Sequence, residues 1–455
     1  MKCEIVVVGS GPGGAITAAL LAEHGRDVVL LEEGEHLPPE ICRPFSMEEM
    51  ERKYRHGGLN PAMCRPKIAF VEGRCVGGGS EINAGLYHRT PPEILDLWKS
   101  RFGLEGVESL TPLFEANERD LSVGPSPGSL PLTSLKLQEG AGRLNWKAVE
   151  VPSWCNQRGE RQTMTRTFLP RAMAAGCRLL PETRAERLRR RSRGWEVLTP
   201  RESIEAEHVF VAAGAVQTPR LLRASGITTN VGNTLAMHPT IKLTARFSED
   251  VNPPGMGVPG HQVKEFAPRL TLGCSISSQA YLALAMLDHG ENRDTVRHHG
   301  RQMAIYYAMI AGDPTGTVRS IGGDALVRYR LSVADYRDLA GGLRKLATLL
   351  LAAGAIELFP SIAGSAVVRS EKDLRTIPES IPPDRTSLMT VHLFSSCPIG
   401  ENRKLTAADS FGRVHGLPGL YLADASVLPT APGVNPQGSI MAFARRNALH
   451  FLGKL

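Results

Sequence analysis

A chain of 455 residues and 49.3 kDa is longer than one hydrophobic core usually organises, so two domains, or one with a large insertion, are expected. Apolar residues at 42% and charged residues at 22% exclude collagen-like, coiled-coil and wholly disordered readings. The excess of 53 Lys+Arg over 46 Asp+Glu is a mildly basic balance, spread through the chain without a long tail of one sign.

The apolar, β-branched run Glu4-Ile5-Val6-Val7-Val8 predicts a strand buried on both faces in a parallel sheet. Gly9-Ser10-Gly11-Pro12-Gly13-Gly14 is a turn. Residues 15–23 follow as a helix, with Ala18, Ala19, Leu21 and Ala22 at helical spacing and Gly25 as its C-cap. A second strand, 27–31, ends at Glu32 and completes a βαβ unit. Residues 35–67 are Pro-rich and aperiodic and read as an extended surface connection with no clear element. A second glycine cluster, Gly73-Arg74-Cys75-Val76-Gly77-Gly78-Gly79-Ser80, precedes Ile82-Asn83-Ala84-Gly85-Leu86-Tyr87. Segment 92–114 reads as helical and amphipathic in patches, and 124–131 as a loop or lid.

The densest basic cluster comprises Arg184, Arg187, Arg189, Arg190, Arg191 and Arg193. With aromatics at only 5% and none interleaved, a solvated turn between strands is expected rather than a nucleic-acid contact. Strands are expected at 195–198 and 208–214. After Gly226, segments 242–247, 280–286 and 304–310 look β-like without intervening helices, which suggests a mostly antiparallel sheet. Segment 335–351 reads as an amphipathic helix with Tyr336, Leu339, Leu343, Leu346 and Leu350 on one face.

Cys3, Cys42, Cys64, Cys75, Cys155, Cys177, Cys274 and Cys397 lie far apart, without C-x-x-C or zinc spacing, so neither a disulfide framework nor a metal site is expected. No apolar run approaches the roughly 18 residues of a spanning helix. With the first strand beginning almost at Met1, no secretory signal is expected either, and the chain reads as a reduced, cytoplasmic protein.

Gly9, Gly11 and Gly14 satisfy G-x-G-x-x-G between a strand and a helix, the context in which the motif binds a dinucleotide. One glycine permits the tight turn, one lets pyrophosphate approach the backbone, and one lets helix and strand pack closely. Glu32 stands 23 positions after Gly9, where a carboxylate accepts from ribose hydroxyls and repels a 2′-phosphate. The motif alone does not separate NAD from FAD.

Four separated stretches together resemble the glucose-methanol-choline (GMC) family of FAD-dependent oxidoreductases. They are the opening loop continued to Leu31-Glu32-Glu33-Gly34, the segment from Val76 to Gly85, the run from Ala212-Ala213-Gly214 to Ser225-Gly226, and the region 392–447 with Leu422-Ala423-Asp424-Ala425-Ser426 and Gly433-Val434-Asn435-Pro436. The last is most similar to the cholesterol oxidase and long-chain alcohol oxidase branches. The resemblance implies a Rossmann-like α/β FAD-binding domain assembled from 1–90, 160–230 and 386–455. Segments 91–159 and 231–385 would then form an α+β substrate-binding domain built on a mostly antiparallel sheet.

The resemblance also implies the cofactor-binding residues: Gly9, Gly11, Pro12, Gly13, Gly14, Glu32 and Glu33; Gly77, Gly78, Ser80, Asn83, Ala84 and Gly85; Ala213 and Gly214; and Asp424, Ala425, Asn435 and Pro436. Members with covalent flavin carry a histidine just before the Asn of the second stretch. Ile82 stands there, which implies non-covalent FAD. The family's active-site histidine falls on His392 and its partner on Asn435, although His392-Leu393-Phe394-Ser395-Ser396 departs from the usual His-Pro-x-Gly-Thr. Asn435-Pro436 stands before the apolar, helix-like stretch 440–449. His238 matches a structural segment, His415 is expected in a turn, and His88 near the isoalloxazine face.

The implied activity is oxidation of an alcohol to a carbonyl, with hydride passing to flavin N5 and His392 as general base. Neutral imidazole suits the second task at ordinary pH. The C-terminal resemblance points to a fairly apolar alcohol, with O2 or another redox carrier as acceptor and no nucleic-acid partner. Two other readings stay open: a hydroxynitrile-lyase-like enzyme with a redox-silent flavin, and a tailoring enzyme oxidising a natural-product intermediate.

Overall fold

The computed structural model describes residues 1–38, 40–255 and 257–455, with Glu291 and Arg293 described by their backbone alone. Two sheets, each with its own core, organise these residues.

In the first sheet, strands Arg178–Leu180, Val28–Leu31, Lys2–Val8 and Ser203–Val211 lie side by side in parallel. Ile5, Val6 and Val7 are completely buried, as a strand covered on both faces requires. The Ser203–Val211 strand carries the antiparallel Arg187–Arg190/Trp195–Leu198 hairpin along its first half and the parallel Leu420–Leu422 strand along its last three residues. Arg189 and Arg191 of this hairpin pair with Glu196, so most of the arginine cluster sits on a solvated two-stranded edge.

The Pro12–Glu23 helix packs between this sheet and two further helices, Phe168–Ala174 and Gln437–Phe451, and is therefore buried all round from Gly13 to Ala22. Close approach explains two of its glycines. A Cβ at Gly14 would lie 1.8 Å from the Gly9 carbonyl oxygen, and one at Gly13 would lie 1.7 Å from that of Ala423.

The second, nine-stranded sheet runs in the order Asn60–Ala62, Lys67–Phe70, Ser387–Thr390, Thr240–Arg246, Met303–Ile310, Leu270–Cys274, His261–Val263, Ala148–Glu150, with Glu357–Pro360 also on Thr240–Arg246. It is antiparallel except where Ser387–Thr390 meets Lys67–Phe70. The Val333–Ala352 helix covers one face, burying Leu339, Leu343, Leu346 and Leu350. Its start is fixed by a capping box in which Ser332 accepts from the Asp335 backbone and Asp335 accepts from the Ser332 backbone. On the other face, Thr240 sits opposite Met309 and Lys242 opposite Tyr307. All four line the cavity between the two sheets.

Several elements differ from the expectation. Residues 280–286 are not a strand. Gln279–Ala285 is a helix, capped by Ser278, whose hydroxyl accepts from Tyr281 N at 3.3 Å. The short Ala/Leu run fits either period, and those residues are strong helix formers. Segment 35–67 contains the Met47–Lys53 helix and the Asn60–Ala62 strand. The helix buries an ionic i,i+4 pair, Glu49 with Lys53 at 3.3 Å, so no apolar stripe marks it in the sequence. Segment 92–114 is two helices, Pro92–Phe102 and Leu110–Asp120, separated at Gly103, whose φ of +67° closes the first. These two helices pack on the first core, whereas Lys67–Phe70 joins the second sheet, both unlike the domain division read from the sequence. Among the described residues, no helix is long and apolar enough to cross a membrane, no cluster could hold a metal ion, and all eight cysteines are free.

Candidate active site

A cavity of about 650 Å³ extends from the Gly9–Gly14 turn to the exposed face of the second sheet. Of the residues expected to hold the cofactor, Gly9, Gly11, Pro12, Gly13, Glu32, Glu33, Gly78, Asn83, Ala84, Gly85, Ala213, Gly214, Asp424, Ala425, Asn435 and Pro436 line it. Gly14, Gly77 and Ser80 stand behind the lining. Gly14 sets the helix against the turn, the Gly77 amide donates to Ser10 Oγ at 3.0 Å, and the Ser80 hydroxyl joins Gly77 O at 2.8 Å to Met164 N at 3.1 Å.

The residues present fit a dinucleotide. The Pro12–Glu23 helix opens on Gly11 with no side-chain cap and no acidic residue in its first turn, so its first amides are free to receive an anion. The Gln437–Phe451 helix opens on Pro436 in the same uncapped way. Glu32 is held beside the turn by Ser10 Oγ at 2.6 Å, Ser10 N at 3.1 Å and Gly34 N at 2.9 Å, leaving lone pairs for hydroxyl donors. Burial pushes its carboxyl upward against these bonds. Glu33 is more fully engaged: Arg55 binds both its oxygens at 3.0 and 2.9 Å, and this outweighs burial and holds its carboxyl low.

Asp424 ties three stretches together, accepting from Gly214 N at 2.9 Å, Ser426 N at 2.7 Å and the Thr218 hydroxyl, while burial pushes its carboxyl up. Asn83 likewise joins the glycine segment to the last helix, accepting from Gly85 N at 2.9 Å and donating to Gln437 Oε1 at 2.6 Å.

His392 follows the Ser387–Thr390 strand and Asn435 precedes the last helix, and the fold brings Asn435 Nδ2 to 3.4 Å from His392 Nε2. His392 Nδ1 lies 3.0 Å from Nδ1 of the buried His238. Gln262, on the His261–Val263 strand between Leu270–Cys274 and Ala148–Glu150, donates through Nε2 to Asn435 Oδ1 and Tyr307 Oη, each at 3.1 Å, and its Oε1 lies 3.1 Å from His88 Nε2.

These contacts have one consistent direction. Because Asn435 Oδ1 accepts from Gln262, its amide nitrogen faces His392 and donates, so His392 Nε2 carries a lone pair. The ring proton then sits on Nδ1 and is donated to His238 Nδ1. His238 in turn carries its proton on Nε2, which is buried without a partner among the described residues. Burial, reinforced by the nearby Lys264 ammonium, lowers His392 to about 4. Burial also pushes His238 well down and lowers His88 to about 3. The rings are therefore neutral at ordinary pH, and His392 presents a basic nitrogen to the cavity.

Ser395 adopts φ +68°, a left-handed conformation at the place where the resembling motif has glycine. Its hydroxyl donates to Pro429 O at 2.6 Å and its amide to Ala425 O at 3.2 Å, which secures the turn after His392 without glycine. His88 does not line the cavity but braces Gln262, and His415 sits in a turn beside Thr406. Gln262 and Tyr307 were not singled out by the sequence, since a polar residue alternating in a strand carries no signature of its partner.

A Rossmann-like sheet with an anion-accepting glycine turn, joined to a second sheet from whose end a histidine meets an asparagine at the start of the last helix over the same cavity, defines a nucleotide-dependent oxidoreductase. GMC oxidoreductase family models match residues 50–240 and 313–444, and an NAD(P)-binding Rossmann-like model matches 7–38. An uncharacterised GMC-type oxidoreductase of Sinorhizobium fredii, y4nJ, is 37% identical across 98% of this chain and 94% of its own length. Long-chain-alcohol oxidase FAO3 of Arabidopsis thaliana is 25% identical across 98% of this chain and 67% of its own. Among solved structures, pyridoxine 4-oxidase from Mesorbium loti superposes with a TM-score of 0.77 at 19% identity, covering 99% of both chains. A formate oxidase superposes with a TM-score of 0.74 at 18% identity, covering 98% of this chain and 97% of its own. The chain belongs to the GMC oxidoreductase family and is an FAD-dependent oxidoreductase.

Proposed function

We propose that the protein oxidises an alcohol to a carbonyl with non-covalently held FAD, His392 being the base and Asn435 the group that orients the substrate oxygen. The observation that carries this reading is the placement of His392 on the cavity, its Nε2 against Asn435 Nδ2 and its Nδ1 against His238. When bound, FAD supplies a two-electron acceptor for the carbinol hydride. When the substrate hydroxyl enters between Asn435 Nδ2 and His392 Nε2, it takes the place of the amide on the Nε2 lone pair; His392 receives the hydroxyl proton there, and the resulting positive charge is shared through Nδ1–H with His238. Asn435 contributes an amide donor without titrating. Ile276, Leu284, Leu287, Met309 and Met389 line the cavity, which supports an apolar body for the alcohol. The names of the long-chain-alcohol oxidases among its relatives agree with that choice.

The test is the visible spectrum of the FAD-bound protein under anaerobic conditions with primary, secondary and sterol alcohols. Bleaching by one class is expected, and recovery in air identifies oxygen as an acceptor. His392→Ala should retain FAD and lose about 10²- to 10⁴-fold in the rate of bleaching. A flavin band that no alcohol bleaches, or an unchanged rate in the variant, overturns the reading.

A further inference from the structure

Charge is divided unevenly along the cavity. Its carboxylates, Glu32, Glu33, Glu72 and Asp424, belong to the cofactor end, where each has hydrogen-bonding or ionic partners. The face of the second sheet presents a cation instead. Lys242 lies near the middle of that sheet, opposite Tyr307, and its side chain lines the cavity.

Among the described residues, Lys242 forms no ion pair, and no hydrogen bond of its ammonium is found. Lys264, the other lysine on this face, is bonded to Thr271 Oγ1 at 3.3 Å and stands off the lining. Burial alone lowers Lys242 to about 8, with no neighbouring carboxylate to oppose it. Lys242 is half-buried on the cavity wall, and an ammonium partly withdrawn from water without a counter-charge is destabilised. The surrounding surface is apolar, with Met309, Met389 and Leu284 on the same cavity. Such a point in an otherwise apolar pocket is the arrangement that fixes the orientation of a ligand carrying one charged group.

We propose that Lys242 receives the carboxylate of the substrate, so that the preferred alcohols are hydroxy carboxylic acids with an apolar body between the two groups. The inference rests on the alcohol-oxidising reading and names its substrate class. The spacing follows from the strand. Thr240 lies two residues from His238, and Lys242 a further two along the same face, about 7 Å of strand beyond Thr240. Lys264, and not Lys242, is the cation that acts on His392, so the Lys242 ammonium stands apart from the His392–Asn435 pair. A substrate bound at both points places its carbinol at His392 and its carboxylate several bonds away. A 2-hydroxy acid is too short to reach.

The test compares ω-hydroxy alkanoates of several chain lengths with their methyl esters, following anaerobic reduction of the FAD-bound protein. The wild type is expected to favour the acid at one length. In Lys242→Met the acid-over-ester ratio of kcat/KM should fall about 10²-fold, mainly through KM, and Lys242→Arg should restore part of it. An ester preferred at every length, or a ratio unmoved by Lys242→Met, overturns the proposal. Binding of decanoate, read from its perturbation of the flavin spectrum, separates the two claims. Decanoate bound by wild type and lost in Lys242→Met, with no alcohol oxidised, upholds the carboxylate site and removes the alcohol reading. Equal binding by both proteins removes the site.

Discussion

Gly11 and Gly13 sit two residues apart in one turn, yet a methyl group at each should fail in a different way. At Gly13 a Cβ would lie 1.7 Å from the Ala423 carbonyl oxygen and 2.8 Å from its carbon, both backbone atoms. Strand and helix must separate by about 1.5 Å to relieve this, so Gly13→Ala should destabilise the apoprotein by about 3 kcal/mol, the upper end of overpacking costs. At Gly11 the nearest protein atom to an added Cβ is Gly78 Cα at 4.0 Å, and the backbone, at φ −63° and ψ −178°, suits any residue. Stiffening the unfolded chain offsets the loss of a favourable N-cap, and apoprotein stability should change by less than about 1 kcal/mol. The methyl group would nevertheless occupy the space over the free helix amides and weaken FAD by about 10- to 100-fold, or ~1.4 kcal/mol per tenfold. Urea unfolding of the apoproteins, with FAD titrations followed by flavin fluorescence, measures both quantities. Gly11→Ala apoprotein losing as much stability as Gly13→Ala, or Gly11→Ala binding FAD as tightly as wild type, would refute the reasoning.

The His392 environment makes a pH prediction with a definite sign. Its value near 4 lies below the ordinary 6.5, so the neutral base persists into mild acid, and flavin reduction should fall only as pH drops through about 4. Between 6.5 and about 4 the unfolded chain binds a proton that the native ring refuses, so stability should decline progressively over that window. The depressed His88 and His238 act in the same direction. Lys264→Met removes one cation facing the three rings and should move the acid limb upward; a limb centred near 6.5 in wild type refutes the assignment. Gln262→Leu removes the donor that orients Asn435 and should slow reduction by about 10- to 100-fold with FAD retained. Gln262→Glu should be worse, because a carboxylate facing Asn435 Oδ1 turns the amide over and aims its oxygen at His392 Nε2. Wild-type rates in both variants, measured by anaerobic stopped-flow, would dissociate Gln262 from the site.

Legibility in the sequence followed the locality of the interactions. The first βαβ unit is a local device, and its strand, turn and helix stand where glycine chemistry and β-branched residues predict. The Val333–Ala352 helix was equally readable, because its apolar stripe and its cap lie within the element. The Met47–Lys53 helix was not, since its buried face is an ion pair rather than a stripe. At the site, the resemblance pointed to His392 and Asn435, but the atoms that aim them come from distant parts of the chain. Gln262 lies 173 residues from Asn435, and His238 lies 154 from His392. Lys242 escaped for a related reason: a lysine in a strand reads as a solvent-facing residue until the sheet shows which side is enclosed.

The contact between Gly13 and Ala423 also bears on how such a chain is made. The glycine turn is translated some four hundred residues ahead of Ala423, Asp424 and the helix that covers Pro12–Glu23. Until then the turn has its strand but not its lid, and the last residues of Ser203–Val211 have a vacant edge where Leu420–Leu422 will pair. Closing so long a loop is slow although its entropy grows only logarithmically with length. The nascent chain thus passes through a state with an exposed strand edge and an unfinished cofactor cleft, open to chaperones and to premature pairing with other chains. FAD present during synthesis is expected to shorten that state only after the C-terminal segment has emerged.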